Sequence, residues 1–173
     1  MRAILEAAER VLSANPAASM EQVAEVAGVA RTTIHRRFAS RQALIDALAI
    51  DAVAQLSAAI EAGRPETAPP LVALHEITAN VLRTKIGWRF ALGQSAAPGS
   101  PAAAEWQRIA DRCVQLFGRA RDQGALAPDA DLEWTRRVYY ALIGESVHGA
   151  DAGADPDLLA ARVVRTLLHG VAP

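Results

Sequence analysis

The chain has 173 residues, 51% hydrophobic and 21% charged, with a formal charge of −1 at pH 7. That length can bury one sizeable core, or a small domain fused to a larger one, and the composition is ordinary for a soluble globular protein. Cys113 is the single cysteine, which excludes an intramolecular disulfide and a multi-cysteine metal site. No apolar run approaches the roughly 18 residues that cross a bilayer. The N-terminus enters helix directly, without the regions of a signal peptide, so a cytoplasmic protein is the simplest expectation.

Every segment with a clear period reads as helix, and neither an alternating strand pattern nor an internal repeat stands out. Ile4, Leu5, Ala8, Val11 and Leu12 form one apolar stripe that ends at Asn15-Pro16. Ser19-x-x-Gln22 has capping-box spacing and opens a second helix, with Met20, Val23, Ala24 and Ala27 inward. After the turn Ala27-Gly28-Val29 a third short helix carries Arg31, Thr32, Thr33, His35, Arg36 and Arg37. Taking Ile34 as the inward direction, at about 100° per residue, Thr32 and Arg36 point away from the core and Thr33 and His35 flank them. Only Ile34 and Phe38 hold this helix down. Two short helices joined by a glycine turn, the second with a cationic outer face, predict a helix–turn–helix over about residues 19–38. Such a motif lays its second helix in the major groove of DNA.

Ser40 can cap a fourth helix running to about Ala62, with Leu44, Ile45, Leu48, Leu56 and Ile60 inward, stopped by Gly63-Arg64-Pro65. Further helices are expected over about 71–85, 88–92, 102–123, 132–148 and 156–169, with Gly93 to Pro101 as the main loop. The near-neutral total conceals an asymmetry. Residues 1–48 carry six arginines against five acids, and Arg31, Arg36, Arg37 and Arg41 fall within eleven residues. Lys85 is the only lysine. Cationic charge therefore concentrates where DNA contact is expected.

Ile4-Leu5-Glu6-Ala7-Ala8, Val23-Ala24, Ala27-Gly28-Val29, Ile34-His35-Arg36-Arg37-Phe38 and Leu44, in that order and spacing, resemble the N-terminal domain of the tetracycline-repressor (TetR) family of bacterial transcription regulators. The resemblance covers residues 1 to about 50. It implies an all-α fold in which an N-terminal three-helix helix–turn–helix DNA-binding domain, residues 1–47, joins through a long helix to an all-helical effector-binding and dimerisation domain, residues 48–173. It also implies that Ser19 caps the second helix and touches phosphate. His35 stands where the family usually has a backbone-contacting tyrosine, Arg37 where it often has histidine, and Arg41 where it has a phosphate-binding lysine. Arg31, Thr32, Thr33 and Arg36 are then the candidates for base edges, an Arg pairing with guanine O6 and N7 and a Thr methyl packing on thymine. His35 departs from the pattern. It either makes a simple hydrogen bond to phosphate or, because imidazoles titrate near neutrality, gives a pH-sensitive affinity.

The second domain holds all three tryptophans. A cavity between helices of about residues 71–149 is expected, lined by several of Trp88, Phe90, Trp106, Cys113, Phe117 and Tyr139, with polar anchors from His75, Glu145 and His148. Val138, Tyr139, Leu142, Ile143 and Val147, and Leu158, Leu159, Val163, Val164, Leu167 and Leu168, each span a wide arc of their helix. That breadth predicts burial by a second subunit in a two-fold four-helix interface. An enzyme is not expected: there is no His-Glu-x-x-His, phosphate loop, nucleophile elbow or carboxylate cluster. His35, His75, His148 and His169 lack metal-like spacing, so neither metal nor cofactor is expected. The function these observations imply is a homodimeric repressor, released from a pseudo-palindromic double-stranded operator by a small, largely apolar ligand. The alternative is a DNA-binding regulator of the same fold without a small-molecule effector, controlled by a protein or acting as an activator.

Overall fold

A computed structural model of the chain describes residues 1–148 and 153–171, with side chains to 168; His169 therefore lies outside the described side chains. Among the described residues the chain is helical, without strands. In order the helices are α1 (Arg2–Ala14), α2 (Met20–Val26), α3 (Arg31–Arg37), α4 (Arg41–Ala62), α5 (Pro70–Gly87), α6 (Arg89–Leu92), α7 (Pro101–Asp122), α8 (Leu132–His148) and α9 (Pro156–Val171).

The helices group into two units, Met1–Gln55 with Trp88–Ala103, and Leu56–Gly87 with Ala104–Pro173. This differs from a single cut near residue 47. The first unit takes α4 as far as Gln55 and recruits α6 with the loop after it. Its core gathers Ile4, Leu5, Ala8 and Leu12 of α1, Met20, Val23 and Ala24 of α2, Ile34 and Phe38 around α3, and Leu44, Ile45, Leu48 and Ala52 of α4. Trp88, Phe90 and Leu92 pack against the same cluster.

One buried carboxylate accounts for that recruitment. Glu9 is 4% exposed. It accepts hydrogen bonds from the backbone N–H of Phe90 (2.7 Å) and of Ala91 (2.9 Å) and from Ser13 Oγ (2.8 Å). The N-terminus of α6 has no side-chain cap of its own, so a negative charge from α1 satisfies its free N–H groups and complements its dipole. Sequence periodicity places Glu9 beside an apolar stripe but says nothing of a partner 81 residues on.

The capping box at Ser19 forms as expected. Gln22 N–H donates to Ser19 Oγ (3.3 Å) and Ser19 N–H to Gln22 Oε1 (2.8 Å). Ser40 likewise caps α4, accepting from Ala43 N–H at 3.1 Å. Helix α4 also corrects the expectation that no apolar run reaches membrane-spanning length. Its 22 residues are long and apolar enough by length and composition to cross a bilayer. Here that apolar character is used inside the protein: Leu44, Ile45, Leu48, Ala52, Val53, Leu56 and Ile60 are all buried.

In the second unit α5 packs on α8 and α9, and α8 on α9. Phe117 meets Tyr139 edge to face, with centroids 5.5 Å apart. Thr78 Oγ1 donates to Leu74 O at 2.5 Å, which leaves Tyr139 Oη to donate to Thr78 Oγ1 at 2.8 Å. Arg119 ties α7 to the loop before α5 by donating to the carbonyls of Pro65 and Ala68.

Replacing Glu9 by Ala strands two buried N–H donors. It should cost roughly 2–4 kcal/mol in denaturant unfolding and expose the Phe90 and Ala91 amides to hydrogen exchange, whereas Glu9→Gln should cost about half as much. Unchanged exchange at those amides in Glu9→Ala would remove Glu9 as the cause of the recruitment.

Candidate nucleic-acid interface and internal cavity

The turn that presents α3 is a Schellman closure of α2. Gly28 N–H donates to Glu25 O (3.1 Å) and Val29 N–H to Ala24 O (3.0 Å), with Gly28 in the left-handed region at φ 67°. Only a residue free of Cβ strain adopts this conformation without cost. The turn redirects the chain into α3, whose inward anchors are Ile34, 0% exposed, and Phe38, 5% exposed. Thr32, His35, Arg36 and Arg37 are exposed and Thr33 is half-buried. The expected facing is therefore observed.

The charges on this face are not all equally free. Glu21 of α2 sits 3.0 Å from Arg31 Nε and 3.1 Å from His35 Nε2, meeting both through the same oxygen. The hydrogen bond from His35 is the main reason the Glu21 carboxyl is held down at about 2, with its own backbone, Ser19 and Arg31 helping. A depressed carboxyl contributes above the ordinary carboxylate range and is lost only as pH falls toward that low value. Across neutral pH the Glu21 carboxylate therefore stays ionised. Arg36 and Arg37 make no ion pair among the described residues. Arg41 also reaches back toward the turn between α1 and α2. Its Nε donates to Ala18 O at 3.2 Å and its Nη2 to Pro16 O, so its guanidinium secures the turn between α1 and α2. Ser19, exposed at the start of α2, has its hydroxyl engaged as the cap.

Glu21→Gln removes a negative charge from the face and loosens its hold on Arg31 and His35. Non-specific DNA affinity should rise several-fold at low salt, with a salt slope steeper by about one. Fluorescence anisotropy over a salt series measures both, and an unchanged slope would mean that Glu21 does not restrain charge on this face.

The second unit contains an apolar cavity of about 120 Å³. Its walls come from Leu56 and Ile60 of α4, Ile77 and Val81 of α5, Trp106, Ile109 and Leu116 of α7, and Ile143 of α8. Of the residues expected there, Trp106, Cys113 and Tyr139 line it. Phe117 does not; it is fully buried behind Tyr139. Trp88 and Phe90 belong to the core of the first unit, because Glu9 fixes α6 there. His75 is half-buried and outside the lining, while Glu145 and His148 are exposed, so the three expected anchors are not brought to this cavity.

The polar groups that do line it are Lys85, Arg112 and Tyr140, and the sequence singles out none of them for this role. The one available signal is Lys85, a lone lysine near the end of an apolar helix in an arginine-rich chain. Arg112 is held by Glu61 and Glu66. Desolvation pushes the Cys113 thiol up to about 12, so it stays protonated and unreactive at neutral pH.

Comparison with known proteins agrees with this architecture. Residues 4–48 match the family model described as "Bacterial regulatory proteins, tetR family". The HTH-type transcriptional repressor LfrR of Mycolicibacterium smegmatis is 30% identical over 171 residues, spanning 98% of this chain and 89% of LfrR. A crystal structure of the mycobacterial LfrR in complex with proflavine superposes with a TM-score of 0.79 at 28% identity, covering 99% of this chain and 96% of that one. The TetR-family regulator PfmR of Thermus thermophilus shares the fold, with a TM-score of 0.81 at 18% identity over 98% of this chain and 99% of PfmR.

Proposed function

This chain belongs to the TetR family of bacterial transcription regulators, and we propose that it is a homodimeric repressor whose release from a pseudo-palindromic operator is triggered by a small, largely apolar ligand. The observation that carries the DNA-binding part is the exposed outer face of α3, with Thr32, Arg36 and Arg37 free of protein contacts that would explain them. In this reading residues 1–47 form the DNA-binding domain and 48–173 the effector and dimerisation domain. Arg31, Thr32, Thr33 and Arg36 read base edges. His35 and Arg37, with the Ser19 end of α2, meet the backbone. Arg41, part of whose guanidinium holds the turn between α1 and α2, also meets phosphate. The cavity supports ligand control, as does the ligand-bound crystal form of LfrR. A core packed solid would instead have supported regulation without an effector.

The dimer interface proposed on α8 and α9 needs other probes than their most buried residues. Leu167 is 0% exposed within its own chain, so a charge there would damage the fold itself. Leu158 is 71% exposed and Leu142 is half-buried. Leu158→Glu combined with Leu142→Glu should leave a folded monomer in sedimentation and weaken operator binding with it. A dimer that survives both changes points to another surface.

If each subunit neutralises about three phosphates, a dimer covers about six, and log affinity should fall with log salt at a slope of about −5. Arg36→Ala should cost roughly 1–3 kcal/mol on the preferred operator and relax the choice at one base pair. Arg41→Ala should weaken binding to all sequences alike. Selection of bound duplexes from a random pool, repeated for each variant, checks the division of roles. Identical sequence profiles for the two variants would overturn it.

A further inference from the structure

We propose that the ligand of the cavity in the second unit is a single-ring apolar carboxylic acid, bound as its anion by Lys85 and Tyr140. This rests on reading the cavity as the effector site and adds the chemical class of its occupant.

Two polar groups that line the cavity have no hydrogen-bonding partner among the described residues. Tyr140 Oη is buried without a hydrogen bond of ordinary geometry, with Cys113 and the Arg136 guanidinium, 5.2 Å from its ring centroid, as its polar neighbours. Lys85 has no hydrogen bond or ion pair among the described residues, and its nearest aromatic neighbour, Trp106, has its ring centroid 6.0 Å away, at the outer limit for a cation–π contact. The other candidates are already committed: Tyr139 Oη donates to Thr78, and Arg112 is bracketed by Glu61 and Glu66. Both groups left over can donate, and no Asp or Glu lines the cavity. An apolar molecule without an acceptor would leave the buried Tyr140 hydroxyl stranded and the half-buried Lys85 ammonium further desolvated. A cationic one would meet an uncompensated ammonium. A carboxylate satisfies both through charge-assisted hydrogen bonds, the strong kind. Burial pushes the Lys85 ammonium below the usual lysine range, the signature of a cation desolvated without a counter-charge, and an incoming anion reverses that cost.

Size sets the rest of the class. At about 120 Å³ the cavity is smaller than the roughly 300–1,000 Å³ of drug-sized sites. It is close to the engineered apolar cavity of about 150 Å³ that admits benzene. One ring with a short acid group matches this volume and the Trp106, Tyr139 and Tyr140 walls.

The test uses the full chain and three probes of one size: benzoate, benzyl alcohol and benzylammonium, followed by tryptophan fluorescence and melting temperature. Benzoate should bind at least about tenfold more tightly than either of the others. Lys85→Met keeps the apolar stem and should erase that preference while benzyl alcohol binds as before. Tyr140→Phe should weaken benzoate several-fold. Equal affinities in the wild-type protein, or a preference for the cation, would overturn the carboxylate class and leave the effector-site reading standing. Failure of all three probes to quench fluorescence or raise the melting temperature at millimolar concentration would overturn both. The wild-type order decides the matter even if a variant does not fold.

Discussion

A seven-residue helix is too short to persist in water on its own, since nucleation costs more than two turns of hydrogen bonds return. Helix α3 is such a helix, and everything around it follows from how it is held. Its N-terminal cap, Ala30, offers no side-chain hydrogen bond, so stability has to come from below. Ile34 and Phe38 supply it by burying themselves among residues of α1, α2 and α4. Two anchors on one side of a two-turn helix leave the other side without structural duties. Threonines and arginines can then occupy it without a packing penalty, and their exposure is a consequence of the anchoring rather than a tolerated defect.

Charge is answered by nearby acids and carbonyls in both units, except around the cavity. The first directs acids to its donors: Glu9 to the start of α6, Glu21 to Arg31 and His35. The Glu9 arrangement is buried and directional, so it fixes structure. The Glu21 arrangement is exposed, screened by salt and open to exchange for another anion, so it orients side chains without locking them. In the second unit Arg112 and Arg119 are similarly answered by carboxylates and carbonyls. Around the cavity the pattern breaks, and Lys85 and Tyr140 are left with donors and no acceptor. Buried polar groups are nearly always paired, so the unpartnered Tyr140 hydroxyl, lining the same apolar space as an unpaired Lys85, marks that space as different from the rest of the core.

Local signals carry most of the first unit into the sequence. Helical period places Ile34 and Phe38 inward, Ser19-x-x-Gln22 announces its own cap, and Gly28 marks a turn that the observed φ requires. These features depend on residues within five positions of each other. The residues that the sequence misplaces depend on distant partners. Aromatic character assigns Trp88 and Phe90 to the cavity, but a carboxylate 81 positions before Phe90 decides which unit α6 joins. Glu145 and His148 are candidate anchors as polar residues on a helix that faces inward in part, yet its buried residues are Thr135, Tyr139 and Ile143, and those two side chains are exposed. Arg41 takes on a second, structural task that its phosphate-binding position does not announce. Spacing cannot reveal that the carbonyls of Pro16 and Ala18 lie within its reach.

The size of the cavity bears on how binding there could alter DNA affinity. A ligand shifts a conformational equilibrium only by binding one state better than another. A molecule that fits the existing space without disturbing it stabilises the state seen here and contributes no selection between states. A molecule somewhat larger than the space favours conformations in which the walls have moved apart, and its differential affinity is then set by the cost of that movement. The walls able to carry such an effect are those in continuous helix with other functional parts. Leu56 and Ile60 belong to the same unbroken α4 whose earlier residues, Leu44, Ile45 and Leu48, form part of the core that holds α3. Lys85 lies in the last turn of α5, three residues before Trp88 and the α6 segment that Glu9 secures. Packed interiors resist gradual deformation and tend to switch between discrete arrangements. A ligand that strains this space, walled by helices with other commitments, would therefore act on DNA affinity more strongly than one that merely fills it.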